Sequence, residues 1–236
     1  MDTFSCDGNE ANANLRSQVD SPPEGTRGQV FTKVFNIFNH GPGDAQNVIF
    51  SFNIPKNTFL ESVTPSQGTC NFVGKKLNCI LGNLLVDVVA GVDLNLIPLK
   101  TGTDTTTYNV NADNMGKVFA KKTTVKTPIV AGSGAILDLS AACKGASGDV
   151  TISPDASGGT ATCTCPDPQN PSRDNYRCAV QNYLVPTQVT VTATATNGQF
   201  KKWDKDCSKE KSNSCVVHMD GVSSKPFRAT RAFFTP

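Results

Sequence analysis

Val189, Val191, Ala193 and Ala195 alternate with Thr190, Thr192, Thr194 and Thr196. A period of two sends successive side chains to opposite faces of an extended chain. This run is therefore a strand with one small apolar face and one hydroxyl face. The same period recurs along the chain. Phe31, Lys33, Phe35 and Ile37 share a face, as do Val48, Phe50 and Phe52, then Val92, Leu94 and Leu96, then Tyr108, Val110 and Ala112. Later come Val150 and Ile152, Cys215, Val217 and Met219, and Phe227, Ala229, Arg231 and Phe233. Turn formers separate these runs at residues 39–44, 64–68 and Asn197-Gly198. Helical spacing is scarce, so the expected fold is all-β.

The chain has 236 residues, enough for two modest cores. Residues 29–127 supply about seven short strands, the number an Ig-like β-sandwich needs. The last of these is expected over 118–125. Thr127-Pro128 and the glycines at 132 and 134 mark 128–134 as a linker. Residues 135–236 form a second, disulfide-rich β unit, and 153–178 read as a long loop held by sulfur. Residues 1–28 read as an N-terminal arm, with an intersubunit role as the functional alternative.

Nine cysteines point to an oxidising, extracellular compartment. They are Cys6, Cys70, Cys79, Cys143, Cys163, Cys165, Cys178, Cys207 and Cys215. No CxxC pair occurs, Cys163 and Cys165 stand too close for a zinc knuckle, and only two histidines are present, so no metal site is expected. Cys70 and Cys79 are spaced to close a hairpin. Cys143, Cys163, Cys165 and Cys178 are expected to hold two further pairs of open connectivity. Cys6 is left over as a candidate for an intermolecular bond. No apolar run reaches about 18 residues, because Asp87 interrupts the longest stretch, so no membrane span is expected.

The search for reactive chemistry is short. His40 sits in a Gly/Pro turn and His218 on the face opposite Cys215 and Val217, so neither suits a nucleophile's base. Asp204 and Asp206 point the same way beside Trp203. This makes Trp203, Lys201 and Lys205 the candidate ligand contacts, for a surface glycan. The net charge of +2 and the absence of interleaved aromatics around Lys201–Lys211 argue against nucleic acid. An isopeptide bond from Lys33 to Asn109 or Asn111 would need an apolar site and a proton-transferring acid. No spacing selects that acid, so disulfides are taken as the covalent support.

Phe38-Asn39-His40-Gly41-Pro42-Gly43-Asp44, Val48, Pro55, Phe59, Cys70 and Cys79-Ile80-Leu81-Gly82-Asn83-Leu84 resemble the repeated β-sandwich domain of bacterial surface and secreted proteins, over 31–127. That resemblance implies a Cys70–Cys79 pair and a turn shaped by Asn39 and its glycines. Val189–Ala193, Asn197-Gly198, Phe200-Lys201-Lys202-Trp203, Cys207, Cys215 and the run from Phe227 to Phe233 resemble a divergent internalin-type B repeat, over 148–235. It implies a compact β-grasp-like module, a Cys207–Cys215 pair and a core role for Trp203. Lys202 stands where that family has glycine before the tryptophan.

The expected protein is a non-enzymatic structural or adhesive component of a bacterial surface, secreted or surface-attached, with no cofactor. Its expected partners are copies of itself or other envelope proteins. A self-assembling filament or surface-layer subunit is the first alternative, and a carbohydrate-binding or hydrolytic secreted protein the second.

Overall fold

The computed structural model describes residues 12–73, 76–115, 122–166, 175–219 and 227–236, and the side chains of all of these except 73 and 175–178. Among the described residues the chain is all-β: strands numbered in chain order form four sheets, with no helix. Among the described residues no helix is therefore long and apolar enough to cross a membrane.

Two sheets make the first sandwich. One has the order β1 (Leu15–Asp20), β3 (Phe31–Asn39), β8 (Val89–Pro98), β5 (Thr58–Pro65). The other runs β2 (Gly25–Thr26), β10 (Thr123–Val130), β9 (Gly102–Asn111), β4 (Ala45–Asn53), β7 (Lys76–Leu84), β6 (Thr69–Val73). The alternation seen in the sequence becomes an inside and an outside. Phe31, Lys33, Phe35, Ile37 and Asn39 of β3 point inward and are buried. Phe35, Phe50, Phe52 and Tyr108 form the aromatic centre, with Phe35 within 4.9 Å of both Phe50 and Tyr108 between ring centroids. Rings of this size bury much of the apolar area that stabilises such a core.

The arm differs from its expected separateness. From Leu15 to Asp20 it pairs antiparallel with β3, and Gly25-Thr26 pairs parallel with Ile129-Val130, so it supplies edge strands to both sheets of its own sandwich. The stretch expected as a linker also differs. β10 runs through Pro128 to Val130. Pro128 is tolerated because β10 lies near the sheet edge, paired beyond β9 only at Ile129 and Val130. The expected strand over 118–125 lies partly outside the described residues, and the strand here begins at Thr123.

The second sandwich faces the sheet β14 (Asn175–Tyr183), β11 (Ala135–Ala142), β18 (Phe227–Thr235), β16 (Gln199–Lys205) against β13 (Ala161–Cys165), β12 (Ser147–Ser153), β15 (Thr187–Asn197), β17 (Ser214–Met219). It is the compact, disulfide-supported β unit expected. Its strands are arranged as a second two-layer sandwich where the resemblance implied a β-grasp-like module. β13 falls inside the expected 153–178 loop, and β14 begins within it and runs on to Tyr183. β13 was disguised because Cys163 and Cys165 take the inward positions that aliphatic residues usually hold.

The two sandwiches meet over a small apolar cluster. Ile97 and Leu99 of the first pack with Ile136 and Val180 of the second. Arg27 donates through Nη2 to the carbonyls of Gly132 (2.8 Å) and Gly134 (3.1 Å), tying the connecting turn to the first sandwich.

Candidate functional site: the links between facing sheets

The most distinctive side-chain links of this chain lie inside its sandwiches, where one sheet is joined to the other. In the second sandwich the joins are disulfides. Cys143, just after β11, bonds Cys165 at the end of β13, with Cα atoms 5.9 Å apart. Cys207, after β16, bonds Cys215 of β17, also at 5.9 Å. Each bond connects strands of opposite sheets, and all four residues are buried. Cys163 is disulfide-bonded as well and buried in the same core. The side chain of Cys178 and the whole of Cys6 lie outside the described residues.

The first sandwich has a disulfide of another kind. Cys70 and Cys79 face each other across the β6–β7 ladder, with Cα atoms 3.9 Å apart, so that bond lies within one sheet. What crosses from sheet to sheet there is a polar cluster. The Lys33 ammonium on β3 meets Asp104 on β9, with Nζ to Oδ2 at 2.8 Å. Nζ also donates to Thr106 Oγ1 at 2.7 Å. Thr106 Oγ1 in turn donates to Asp104 Oδ2 at 3.0 Å. On the other carboxylate oxygen, Thr58 at the start of β5 donates to Asp104 Oδ1 at 2.7 Å.

This arrangement follows from local sequence. Period two places Asp104, Thr106, Tyr108 and Val110 on the inward face of β9, as it places Lys33 inward on β3. The lysine side chain is fully buried and the Asp104 side chain is 1% exposed. Burial holds the Lys33 amine below the ordinary lysine range, against the opposing pull of the Asp104 hydrogen bond and charge. Removing two ions from water costs several kcal/mol each, which only close pairing and extra hydrogen bonds offset. Both threonines meet that requirement. The Phe31 ring, 5.4 Å from Nζ, adds a cation–π contact. A surface cleft bordered by Asn57, Thr58, Pro98, Lys100 and Asp104 reaches the outer side of the cluster.

The residues expected as ligand contacts are placed otherwise. Trp203 is 2% exposed and donates from Nε1 to the Ser212 carbonyl at 2.9 Å. It is a core residue and presents no face to a ligand. Lys201 and Lys205 are exposed, so the loop offers two cations without the aromatic platform. Asp206 accepts from the Ala229 amide at 2.7 Å and lies 3.8 Å from Arg228, while Asp204 accepts from the Lys205 amide. Asp206 thereby ties the chain just after β16 to β18, whereas the Asp204 contact stays within β16. His40 stacks on Phe38. No three His, Cys, Asp or Glu side chains gather as a metal site among the described residues. Of the isopeptide candidates, Asn109 is half-buried and Asn111 exposed on β9, and Lys33 meets neither in the cluster.

Sequence reading placed Lys33 on the core face and missed its partner. Asp104 sits in Thr103–Thr107, a polar run with no apolar alternation to flag it. A buried acid beside a buried lysine was the signal, and it spans strands far apart in the chain.

Asn39 holds the turn after β3. Its Nδ2 donates to the Gly43 carbonyl (2.9 Å) and the Leu84 carbonyl (3.0 Å), and its Oδ1 accepts from the Gly41 amide (3.0 Å). Gly41, with φ of 68°, occupies the left-handed conformation that glycine adopts without steric cost.

No family model matches the chain. No curated protein matches it either. Among solved structures, the cohesin module of a family 33 glycoside hydrolase from Clostridium perfringens is similar over 52% of this chain and 99% of its own, at 16% identity and a TM-score of 0.40. Domains D2 and D3 of the major pilin SpaD from Corynebacterium diphtheriae are similar over 94% of this chain and 99% of theirs, at 11% identity and a TM-score of 0.33. The bacterial hydrophobin BslA is similar over 53% of this chain and all of its own, at 15% identity and a TM-score of 0.36. These likenesses are too distant to bear on what the chain binds or does.

Proposed function

We propose that the protein is a non-enzymatic structural or adhesive component of a bacterial exterior, built to stay folded outside the cell. The observation that carries this reading is the pair of disulfides, Cys143–Cys165 and Cys207–Cys215, that join the facing sheets of the second sandwich. Such bonds persist in oxidising compartments and are kept reduced in most cytosols. The buried Trp203 and Lys33 both have structural partners, and the exposed Asp206 is held by the Ala229 amide. Within this reading the second sandwich acts as a divergent B-repeat-like spacer. The test is cell fractionation of the source organism with peptide mapping under non-reducing conditions. The protein is expected in the envelope or culture fluid with these bonds intact. A cytoplasmic, folded protein with mostly reduced cysteines overturns the reading.

One observation favours self-assembly as a second reading. The turn that crosses from β7 to β8, between the facing sheets, exposes Leu85 (57%), Val88 (40%) and Val89 (45%) together, at the end of β8 opposite the one whose Ile97 packs on the second sandwich. Clustered exposed aliphatic residues mark contact surfaces more often than scattered ones do. Light scattering and electron microscopy of the native protein should show ordered oligomers that Val88→Lys disperses. A parent protein that stays monomeric at high concentration removes this reading.

A further inference from the structure

Each join between facing sheets in the second sandwich described above is covalent, and the corresponding join in the first is Lys33 against Asp104. The geometry of that join is one from which a bond can form. We propose that Lys33 and Asp104 become linked by an amide, a covalent staple between the two sheets of the first sandwich, formed with loss of one water.

The nucleophile is Lys33 Nζ, the electrophile the Asp104 carboxyl carbon, and the leaving oxygen Oδ2. Attack requires an unprotonated amine and a carboxyl group that can shed oxygen. A pair sealed from water reaches that state by moving a proton along the 2.8 Å hydrogen bond from Nζ to Oδ2. Burial, which disfavours the ammonium form, works in the same direction. As the new C–N bond forms, negative charge develops on Oδ1. Thr58 Oγ1 already donates to that oxygen at 2.7 Å and stabilises the charge as it grows. The nitrogen must then give up a second proton. Thr106 Oγ1 accepts from Nζ at 2.7 Å and donates to Oδ2 at 3.0 Å, so it takes a proton from nitrogen and passes its own to the leaving oxygen. Both protons lost by the ammonium end on Oδ2. The C–Oδ2 bond breaks, and water departs toward the cleft beside Thr58 and Asp104. Electrons and atoms balance with no oxidant, metal or further acid. The strands hold amine and carboxyl in contact, which replaces an encounter by a fixed geometry.

Thr106 and Thr58 are thus catalytic residues of this single-turnover step. The chemistry uses one carboxyl group, with a hydroxyl relay in place of a second acid. It is independent of where the protein resides, so a cytoplasmic location would overturn the function proposed above and leave this step intact.

Intact-mass measurement of the purified, reduced and denatured protein tests the proposal. Relative to a Lys33→Arg variant produced in the same way, and after allowing for the substitution, the parent should be lighter by one water. Tandem mass spectrometry should recover a branched peptide joining Lys33 to Asp104. Asp104→Asn keeps the carbonyl carbon and changes the leaving group, so its linked fraction should be lighter by one ammonia. Thr106→Val should accumulate unlinked protein. A parent at full sequence mass, with Lys33 and Asp104 in separate linear peptides, overturns the proposal. That readout needs no variant to fold.

Discussion

The two sandwiches solve one problem with different materials. The first fills its centre with large rings, Phe35, Phe50, Phe52 and Tyr108, and places its described disulfide at the margin, within one sheet. The second centres on small residues, Val150, Val189, Val191 and Ala193, with buried cysteines among them. Its larger rings, Trp203 and Phe234, sit on the sheet that faces β15. Rings bury more apolar area per residue, so the first core depends less on sulfur. Where side chains are small, constraining the unfolded chain contributes a larger share of stability.

This contrast breaks most sharply under reduction. Breaking Cys143–Cys165 and Cys207–Cys215 should cost about 3 kcal/mol each by chain entropy. Together that is a large fraction of the stability of a typical domain, about 5–15 kcal/mol. Hydrogen exchange in reductant should show β12 and β15 losing protection while β3 and β8 retain theirs. Equal loss in both sandwiches would mean that the aromatic core does not stand alone.

The next largest effect lies in the first sandwich. Lys33→Met leaves the Asp104 carboxylate buried without its cation, which should lower stability by about 3–5 kcal/mol. A Lys33→Met/Asp104→Leu double variant removes the stranded charge and should recover part of that loss. Full recovery, measured by chemical denaturation, would count against any covalent contribution from the pair. Replacing Cys70 and Cys79 by serine should cost less, at most about 2–3 kcal/mol. The loosening should stay within β6 and β7, because that bond joins neighbours already paired in one ladder.

The parts of this architecture that could be read from sequence are those set by period two. Lys33 was placed with Phe31, Phe35 and Ile37, and it is inward. The alternation of Val189–Thr196 became β15. What escaped depends on which strand lies opposite which. Lys33 and Asp104 are separated by 71 positions, and no local pattern reports contact across facing sheets. β1 escaped because an edge strand buries little: beyond Leu15, its Ser17 and Val19 are only half-buried, so the alternation is diluted. β13 escaped because its inward residues are cysteines set among Ser, Gly and Pro. The Thr127-Pro128 step read as a strand end because proline disrupts central strands, and that reasoning fails near a sheet edge.

The smallest effect separates hydrogen bonding from sulfur within the second sandwich. Between β12 and β13, Asp155 Oδ1 accepts from the Ser157 amide (2.9 Å), the Ser157 hydroxyl (2.7 Å) and the Gly159 amide (2.8 Å). The Ser157 hydroxyl, followed by the Gly159 amide, holds this carboxyl below the ordinary aspartate range. The depressed value sets the sign. Stabilisation of the loop is fully present above the ordinary aspartate value and is lost as pH falls through the folded one. The flanking chain is fixed separately, by Tyr183 Oη donating to the Pro154 carbonyl at 2.9 Å. Acid at constant redox state should therefore speed amide exchange at Ser157 and Gly159 while β12 stays protected. Asp155→Ala should give the same local exchange at neutral pH with little change in the unfolding midpoint. If a reductant mobilises these two amides before it reaches β12, the loop depends on the disulfides after all, and sulfur governs more of the second sandwich than its core.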